Sequence, residues 1–534
     1  MSAHARARAT RRVGGGRLRR RTPVGSRRAG PAVTATVVGR PVAAQSPARA
    51  RREVPWLAVV GAVYAVVQLA MVVPHMGGGL LWDESVYASQ VDPHRPAVFF
   101  SAPRSRGISY LVAPVVAATS SVVALRVVLA LLSAVALYGV FRVWGPLVGR
   151  GTAALAALLF SGLWITQISG SQVMPNLWVA LGAVAAVGWF LRAPAEPRAR
   201  WWSAAAVAGV TLLRMPDGGW LGLPLLAAAV CVRRWRPALP TLLGGLALGA
   251  APWVAEAYAR FGGVGARLRA SSATEGGMVP QLNVGTALRS LNGPLLCRPC
   301  QVPLRHPELT LWWLALPLLA AAALAVAVRD HRAGRGRSLS ATVLPVVCAA
   351  SMAVPYLLLI DYSAPRFLLP AYALLALPLA ALAARAVRAA RSPVPVAAAL
   401  GLVLALQLGS QYAVLADTTH QAAATAERYQ RAAAGLRALG LRPPCLVAGP
   451  RALPIGYAAG CASAEVSGNN TSTTAAALLR RAAHEPTAVF GHAPGHGLPS
   501  LRARGWTRHT LPGTGGLSVY VAPVSGRAEH PGQR

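Results

Sequence analysis

The chain has 534 residues, 54% of them apolar and only 13% charged, yet its formal net charge is +37. The apolar content excludes a disordered chain, and the lack of a Gly period excludes collagen. Nucleic-acid binding would need the basic residues on a folded polar face, so their position decides.

All 53 basic residues are Arg, which, with the abundant Ala, Gly and Pro, reflects GC-rich coding; position is therefore more informative than number. Residues 1–53 hold fourteen Arg and a single acid, Glu53, around Gly14-Gly15-Gly16 and scattered Pro. With no apolar period, this stretch is expected to be a disordered basic tail, too charged for a signal peptide. Apolar runs follow that are long enough for a bilayer core of about 30 Å, which takes about 20 helical residues. Spans are expected near 56–74, 121–141, 152–168, 173–191, 202–215, 218–232, 238–257, 309–328, 341–360, 367–384 and 394–415. The fifth and sixth are short and separated by Met215-Pro216-Asp217-Gly218, so one broken element is the alternative; 107–119 reads as an interfacial helix.

Placing the tail inside assigns Arg142, Arg150, Arg192, Arg198, Arg200, Arg233, Arg234, Arg236, Arg329, Arg332, Arg335, Arg337, Arg385, Arg388 and Arg391 to cytoplasmic turns. With the tail this is 29 Arg against Glu53, Glu196 and Asp330, so +26 of the +37 falls on one side, as the positive-inside rule requires. The long loops 75–107 and 258–308, and the C-terminal residues 417–534, then lie outside. Long loops beside short ones suggest a site on that face. The expected organisation is a tail (1–53), a membrane region (54–416) and a small extracytoplasmic α/β domain (417–534). In the last, helices are expected over 421–439 and 473–484. Strands are expected at Cys445–Gly449, Ala488–Gly491, Trp506–Leu511 and Leu517–Ala522. It shows no phosphate-loop pattern and reads as a docking or accessory unit, with residues 524–534 fraying at its end.

Cys231 and Cys348 fall in spans, as packing residues. Cys297-Arg298-Pro299-Cys300 and the pair Cys445 and Cys461 fall on the oxidising side and are read as two disulfides. A redox-active pair or a zinc half-site are the alternatives for the first. Only sixteen acids exist, so the candidate bases are few. On the outer side of the membrane region they are Asp83, Glu84, Asp92, Asp217, Glu256, Glu275, Glu308 and Asp361. Asp83-Glu84 is the only adjacent pair among them, and desolvation at a pocket mouth is expected to raise its pKa. Arg104, Arg106, Arg214 and Arg366 lie on the same side and suit phosphate, which Arg binds with two donors at once. Arg126, inside the second span, is expected to pair internally or to reach the cytoplasmic half. His492 and His496 carry no helical ligand spacing, because Pro and Gly intervene, and no metal site is expected. Asn469-Asn470-Thr471-Ser472 contains overlapping glycosylation patterns. Trp82, Trp253 and Tyr362 are belt aromatics or sugar platforms.

In order, these residues form Asp83-Glu84-x-x-Tyr87, then Tyr110-Leu111-Val112-Ala113-Pro114, Ala124-Leu125-Arg126, Met174-Pro175-Asn176, Leu212-Leu213-Arg214 and Pro365-Arg366-Phe367-Leu368-Leu369-Pro370. This series resembles the GT-C superfamily of polyprenyl-phosphate-sugar-dependent glycosyltransferases, over roughly residues 56–415. The protein O-mannosyltransferases and the lipid A aminoarabinose transferases are the most similar members. At the turn after Met174-Pro175 many relatives carry an acid, where this chain has Asn176.

The resemblance implies an α-helical polytopic membrane protein of about eleven transmembrane helices. It implies hexosyl or pentosyl transfer from a lipid-linked donor to an acceptor hydroxyl on the outer face of a bacterial cell membrane, inverting and metal-independent, with no cofactor. Asp83 would be the catalytic base and Glu84 would orient it or the acceptor. Arg104, Arg106, Arg214 and Arg366, with Asn176 and Asp361, would bind substrate. The partners implied are the bilayer, a polyprenyl-phosphate sugar and an acceptor that is a protein, glycolipid or polysaccharide, with no nucleic acid. A transporter or flippase is the alternative, but no internal repeat is visible and the acids cluster at span ends. A non-catalytic cell-envelope scaffold is the third reading.

Overall fold

The computed structural model describes residues 55–292, 294–304, 306–334, 339–491 and 501–523. The basic tail, Arg335, Arg337, His492, His496 and residues 524–534 lie outside the described residues. From Pro55 onward the chain forms one compact unit.

Helices dominate. They are α1 (Trp56–Val67), continued by a π-helical turn over Gln68–Val72, α2 (Trp82–Ser89), α3 (Gly107–Ala118), α4 (Val122–Arg142), α5 (Gly145–Val148), α6 (Arg150–Ser161), α7 (Trp164–Gly170), α8 (Asn176–Arg192), α9 (Ala199–Leu213) and α10 (Met215–Cys231). The loop region after α11 (Leu239–Phe261) holds α12 (Val264–Thr274) and α13 (Val284–Ser290), and α14 (Leu311–Arg332), α15 (Ser340–Leu358), α16 (Leu369–Ala389) and α17 (Pro393–Ala438) follow. Each expected span falls on helical residues, the one over 152–168 on two helices. Among the described residues, six helices are long and apolar enough to cross a membrane, and a seventh crossing is available if α6 and α7 count as one. The helices near 56–74, 173–191, 202–215 and 218–232 have 15 to 17 residues, a rise of about 22–26 Å, shorter than a straight crossing.

Two expectations need correction. The span over 152–168 is not straight: α6 and α7 meet at 82°. A Cβ on Gly162, at the bend, would lie 2.4 Å from Leu408 Cδ2 of α17, so the chain turns where it meets that helix. The span 394–415 and the helix 421–439 are one element, α17, of 46 residues. Nothing between Ser410 and Ala434 breaks it, because that stretch has neither Gly nor Pro. The segments 202–215 and 218–232 are two helices forming a tight hairpin. A Cβ on Gly218 would lie 2.2 Å from Thr211 Oγ1, so only Gly permits that approach.

Beyond α17 lies a five-stranded sheet of order β2-β1-β3-β5-β4. Its strands are β1 (Leu446–Ala448), β2 (Ala462–Ala464), β3 (Thr487–Phe490), β4 (Thr507–Thr510) and β5 (Ser518–Val521). β1 runs parallel to β2 and β3, and β5 antiparallel to β3 and β4. α18 (Ala452–Ala459) and α19 (Ala475–Ala482) connect the parallel strands. α18 and β2 escaped the sequence reading. Pro454 and Gly456 make α18 look like a loop, and the Ala-Ser-Ala of β2 has no β-branched residue. Ala432, Ala433 and Leu436 of α17 pack with Val447, Ile455, Phe490 and Val519, joining the sheet to the long helix. Leu453 and Tyr457 of α18 pack with Val86 and Tyr87 of α2. The Tyr457 hydroxyl donates to Asp92 Oδ2 at 2.7 Å, so the C-terminal part braces the segment that bears Asp83.

Burial pushes the Glu465 carboxyl, just after β2, up to about 7. A carboxyl with a raised folded-state pKa favours folding when protonated. Its contribution is complete below about pH 4.3, the ordinary Glu value, and is lost as pH rises through about 7. Wild-type Tm is therefore expected to fall between pH 5 and pH 8, and Glu465→Gln to flatten that fall in thermal unfolding of the purified protein. An equal fall in the variant would assign the pH dependence elsewhere.

Candidate active site

Asp83 and Glu84 sit in the first turn of α2, where acids suit the helix dipole. One helical step of about 100° turns their side chains to different surroundings. Glu84 is 1% exposed. Its Oε2 accepts the Leu81 N–H at 3.0 Å and caps α2, and its Oε1 accepts the Val173 N–H at 3.1 Å. Arg126 of α4 meets it with two donors, Nη1 to Oε1 at 3.0 Å and Nη2 to Oε2 at 3.1 Å. The same guanidinium donates to the carbonyls of Gly79 and Ser171 at 2.9 and 3.3 Å. The pair locks the entry to α2 against the Ser171–Val173 turn. Glu84 thus orients the helix that carries Asp83.

Asp83 faces two guanidiniums. Arg104 Nη2 donates to its Oδ1 at 2.6 Å and Arg366 Nη2 to its Oδ2 at 2.9 Å. Burial opposes the charge on Asp83, but Arg104 and Arg366 outweigh it and hold the carboxyl below the usual carboxylate range. This corrects the expectation of a raised value: desolvation acts as foreseen, and two Arg overturn it. Arg104 is itself fixed by a bond from Nε to Ser101 Oγ at 3.1 Å. Arg366 Nη1 donates to the Leu295 carbonyl at 2.6 Å, while its Nε is buried without a partner among the described residues. Arg214 is held by Asp217 (Nε to Oδ2, 3.0 Å) and donates to the Tyr356 hydroxyl at 2.9 Å, which in turn donates to Asp217 Oδ1 at 2.5 Å.

Asp83, Arg104, Arg214, Asp361 and Arg366 all line one cavity of about 1150 Å³, with Trp82, Trp253 and Tyr362 in its wall. Arg106 does not join them. Its Nε and Nη2 bind Glu256 Oε1 at 2.9 and 2.7 Å, in a cluster with Arg260 and Arg267, and its guanidinium lies over Phe100. Asn176 is also absent from the lining. It is 1% exposed at the first turn of α8, and its Oδ1 has no partner among the described residues.

The fold also brings in Glu275, one of the outer-side candidate bases, and residues that the sequence reading did not place in the site. Glu275, at the end of α12, lines the cavity and accepts a hydrogen bond from the Tyr362 hydroxyl. Burial raises its carboxyl above the ordinary Glu value. Two carboxylates of different proton affinity thus face one cavity. Arg298 packs over the Tyr362 ring at 4.3 Å. Thr418, Gln421 and Tyr429 of α17, with Asn469 and Asn470 of the loop after β2, complete the lining. Their only local signal was polarity. Cys297 is joined to Cys300, and Cys445 to Cys461. Among the described residues, no group of three or more His, Cys, Asp or Glu could hold a metal ion.

No family model and no curated protein matches the chain. Solved structures do match in fold. ArnT from Cupriavidus metallidurans, bound to undecaprenyl phosphate, aligns with a TM-score of 0.58 at 13% identity, covering 88% of this chain and 98% of that one. The oligosaccharyltransferase of Archaeoglobus fulgidus, tethered to an acceptor peptide containing the NVT sequon, aligns with a TM-score of 0.50 at 13% identity, covering 82% and 68%. The chain therefore has the fold of these two structures.

Proposed function

We propose that the protein transfers a sugar from a polyprenyl-phosphate donor to an acceptor hydroxyl on the outer face of the cell membrane. The observation that carries this reading is the convergence of Asp83, Arg104, Arg214 and Arg366, from four separate segments, on one cavity. The buried, unpartnered Nε of Arg366 adds a donor that an anionic ligand would satisfy. The undecaprenyl phosphate bound by ArnT, which shares the fold, supports a lipid phosphate as that anion. Sidedness rests on alternation. α8, α9, α10, α15 and α16 each have one end near the cavity and the other at an Arg-bearing turn, and such turns favour the cytoplasm.

The acceptor oxygen attacks the anomeric carbon as the bond from that carbon to the phosphate oxygen breaks. The bonding pair leaves with polyprenyl phosphate, whose charge rises by one unit. Arg366, Arg214 and Arg104 are preorganised in a partly dry site to receive that charge. Asp83, kept ionised by Arg104 and Arg366, takes the acceptor proton on the opposite side, where the step gives inversion. Its low proton affinity makes it a weak base, so it takes the proton only late, as the new bond makes the hydroxyl acidic. Neither a metal nor a cofactor enters this scheme. In this reading the residues from 417 onward are an accessory outer unit and the basic tail is cytoplasmic.

The test is transfer of labelled sugar from undecaprenyl-phosphate mannose or undecaprenyl-phosphate 4-amino-4-deoxyarabinose in membranes containing the full chain. Labelled product formed only in the presence of the protein supports the proposal. Movement of the lipid between leaflets with no new glycosidic bond would replace it with a flippase. Arg366→Ala is expected to raise the donor KM by about ten-fold or more, the scale of one charge-assisted hydrogen bond, with the acceptor KM unchanged. An equal rise for both substrates would remove the phosphate role.

A further inference from the structure

The loop Leu295–Cys300 has no part in the scheme above, yet it touches Arg366 directly. The Leu295 carbonyl accepts from Arg366 Nη1 at 2.6 Å, the terminal nitrogen beside the one that meets Asp83. Two residues on, Cys297 forms an isolated antiparallel bridge with Ser363: Cys297 N–H donates to Ser363 O at 2.8 Å, and Ser363 N–H to Cys297 O at 3.3 Å. The loop therefore runs alongside the segment that delivers Arg366, and the Cys297–Cys300 disulfide closes its last four residues, beginning two residues after Leu295. Arg298, between the two sulfurs, donates to the Thr274 carbonyl at 2.8 Å and covers the Tyr362 ring, tying the loop to α12 as well. Beside these ties to its neighbours, the disulfide is the cross-link within the loop, which contains no regular element beyond that bridge.

We propose that the Cys297–Cys300 disulfide is a positioning element for Arg366, holding the Leu295 carbonyl where it fixes the guanidinium toward the donor phosphate. The proposal rests on the reading that Arg366 binds that phosphate. It also makes the site sensitive to thiols. A dithiol supplies two electrons and two protons, the S–S bond becomes two thiols, and the dithiol closes to its own disulfide. Cys300 is partly exposed and lines the cavity, so a small reductant reaches it. Cys445 and Cys461 are 2% and 0% exposed and are shielded from mild treatment.

The experiment measures binding of undecaprenyl phosphate to the purified full chain in nanodiscs, for wild type, Cys297→Ser/Cys300→Ser, Arg366→Ala and all three substitutions together. The paired Ser variant is expected to bind about ten-fold more weakly, the scale of one charge-assisted hydrogen bond. Adding Arg366→Ala to it should cost nothing further, because both changes remove the same interaction. Brief dithiothreitol treatment of folded wild type should reproduce the loss, which covers the case of a paired variant that fails to fold. Unchanged affinity in both the paired variant and the reduced wild type overturns the proposal, as do losses that add in full. If wild type itself neither binds undecaprenyl phosphate nor transfers sugar, the glycosyltransfer reading has failed and this inference falls with it.

Discussion

Asp83→Asn is expected to abolish sugar transfer while leaving expression and membrane insertion intact. Asn keeps the shape of Asp83 but removes the one negative charge between Arg104 and Arg366. A positioned base supplies about 10²–10⁴-fold on its own. The loss should exceed that range, because the two guanidiniums would then repel each other and leave the geometry in which they meet the phosphate. Folding should survive, since Asp83 keeps 24% of its side chain exposed at the cavity and is not a core residue. Labelled-sugar transfer in membranes, beside protein yield, reads both quantities. Transfer at the wild-type rate would remove Asp83 as the base. The pH profile offers a second check: Asp83 lies below the usual carboxylate range, so its protonation should cause no loss between pH 5 and pH 7.

Arg126→Leu is expected to act on stability. It leaves Glu84, 1% exposed, with its buried charge uncompensated, at a cost of about 3–5 kcal/mol. The Gly79 and Ser171 carbonyls lose their donor as well. Thermal unfolding of the detergent-solubilised protein measures the effect. Glu84→Gln together with Arg126→Leu should be milder than Arg126→Leu alone, because no bare charge remains. A loss below about 1 kcal/mol for Arg126→Leu would mean that water reaches Glu84 and the pair is not sealed. The two predictions separate two neighbouring acids: one variant should fail in transfer and the other in folding.

Much of this was legible in the chain. Helix positions follow from apolar runs, and the Arg-bearing turns from residues counted one at a time. The scarcity of acids led to Asp83-Glu84, because only sixteen carboxylates had to be considered. The less legible parts depended on distant partners. Arg104 and Arg106 are two residues apart and alike in sequence, yet one binds Asp83 and the other Glu256, 150 residues away. Glu275 meets Tyr362 across 87 residues, and no local pattern announces it. The boundary expected near residue 416 falls within α17, since a drop in hydropathy does not break a helix where the stretch around it lacks Gly and Pro.

The sequence by itself determined a multi-pass membrane protein with Arg-bearing turns and a short list of acids, because hydropathy and charge belong to each residue and can be read in place. Only the tertiary structure decided which acid is which. The charge state and orientation of a buried carboxylate depend on the groups within a few ångströms of it. For Asp83 one of those groups, Arg366, arrives from 283 residues away.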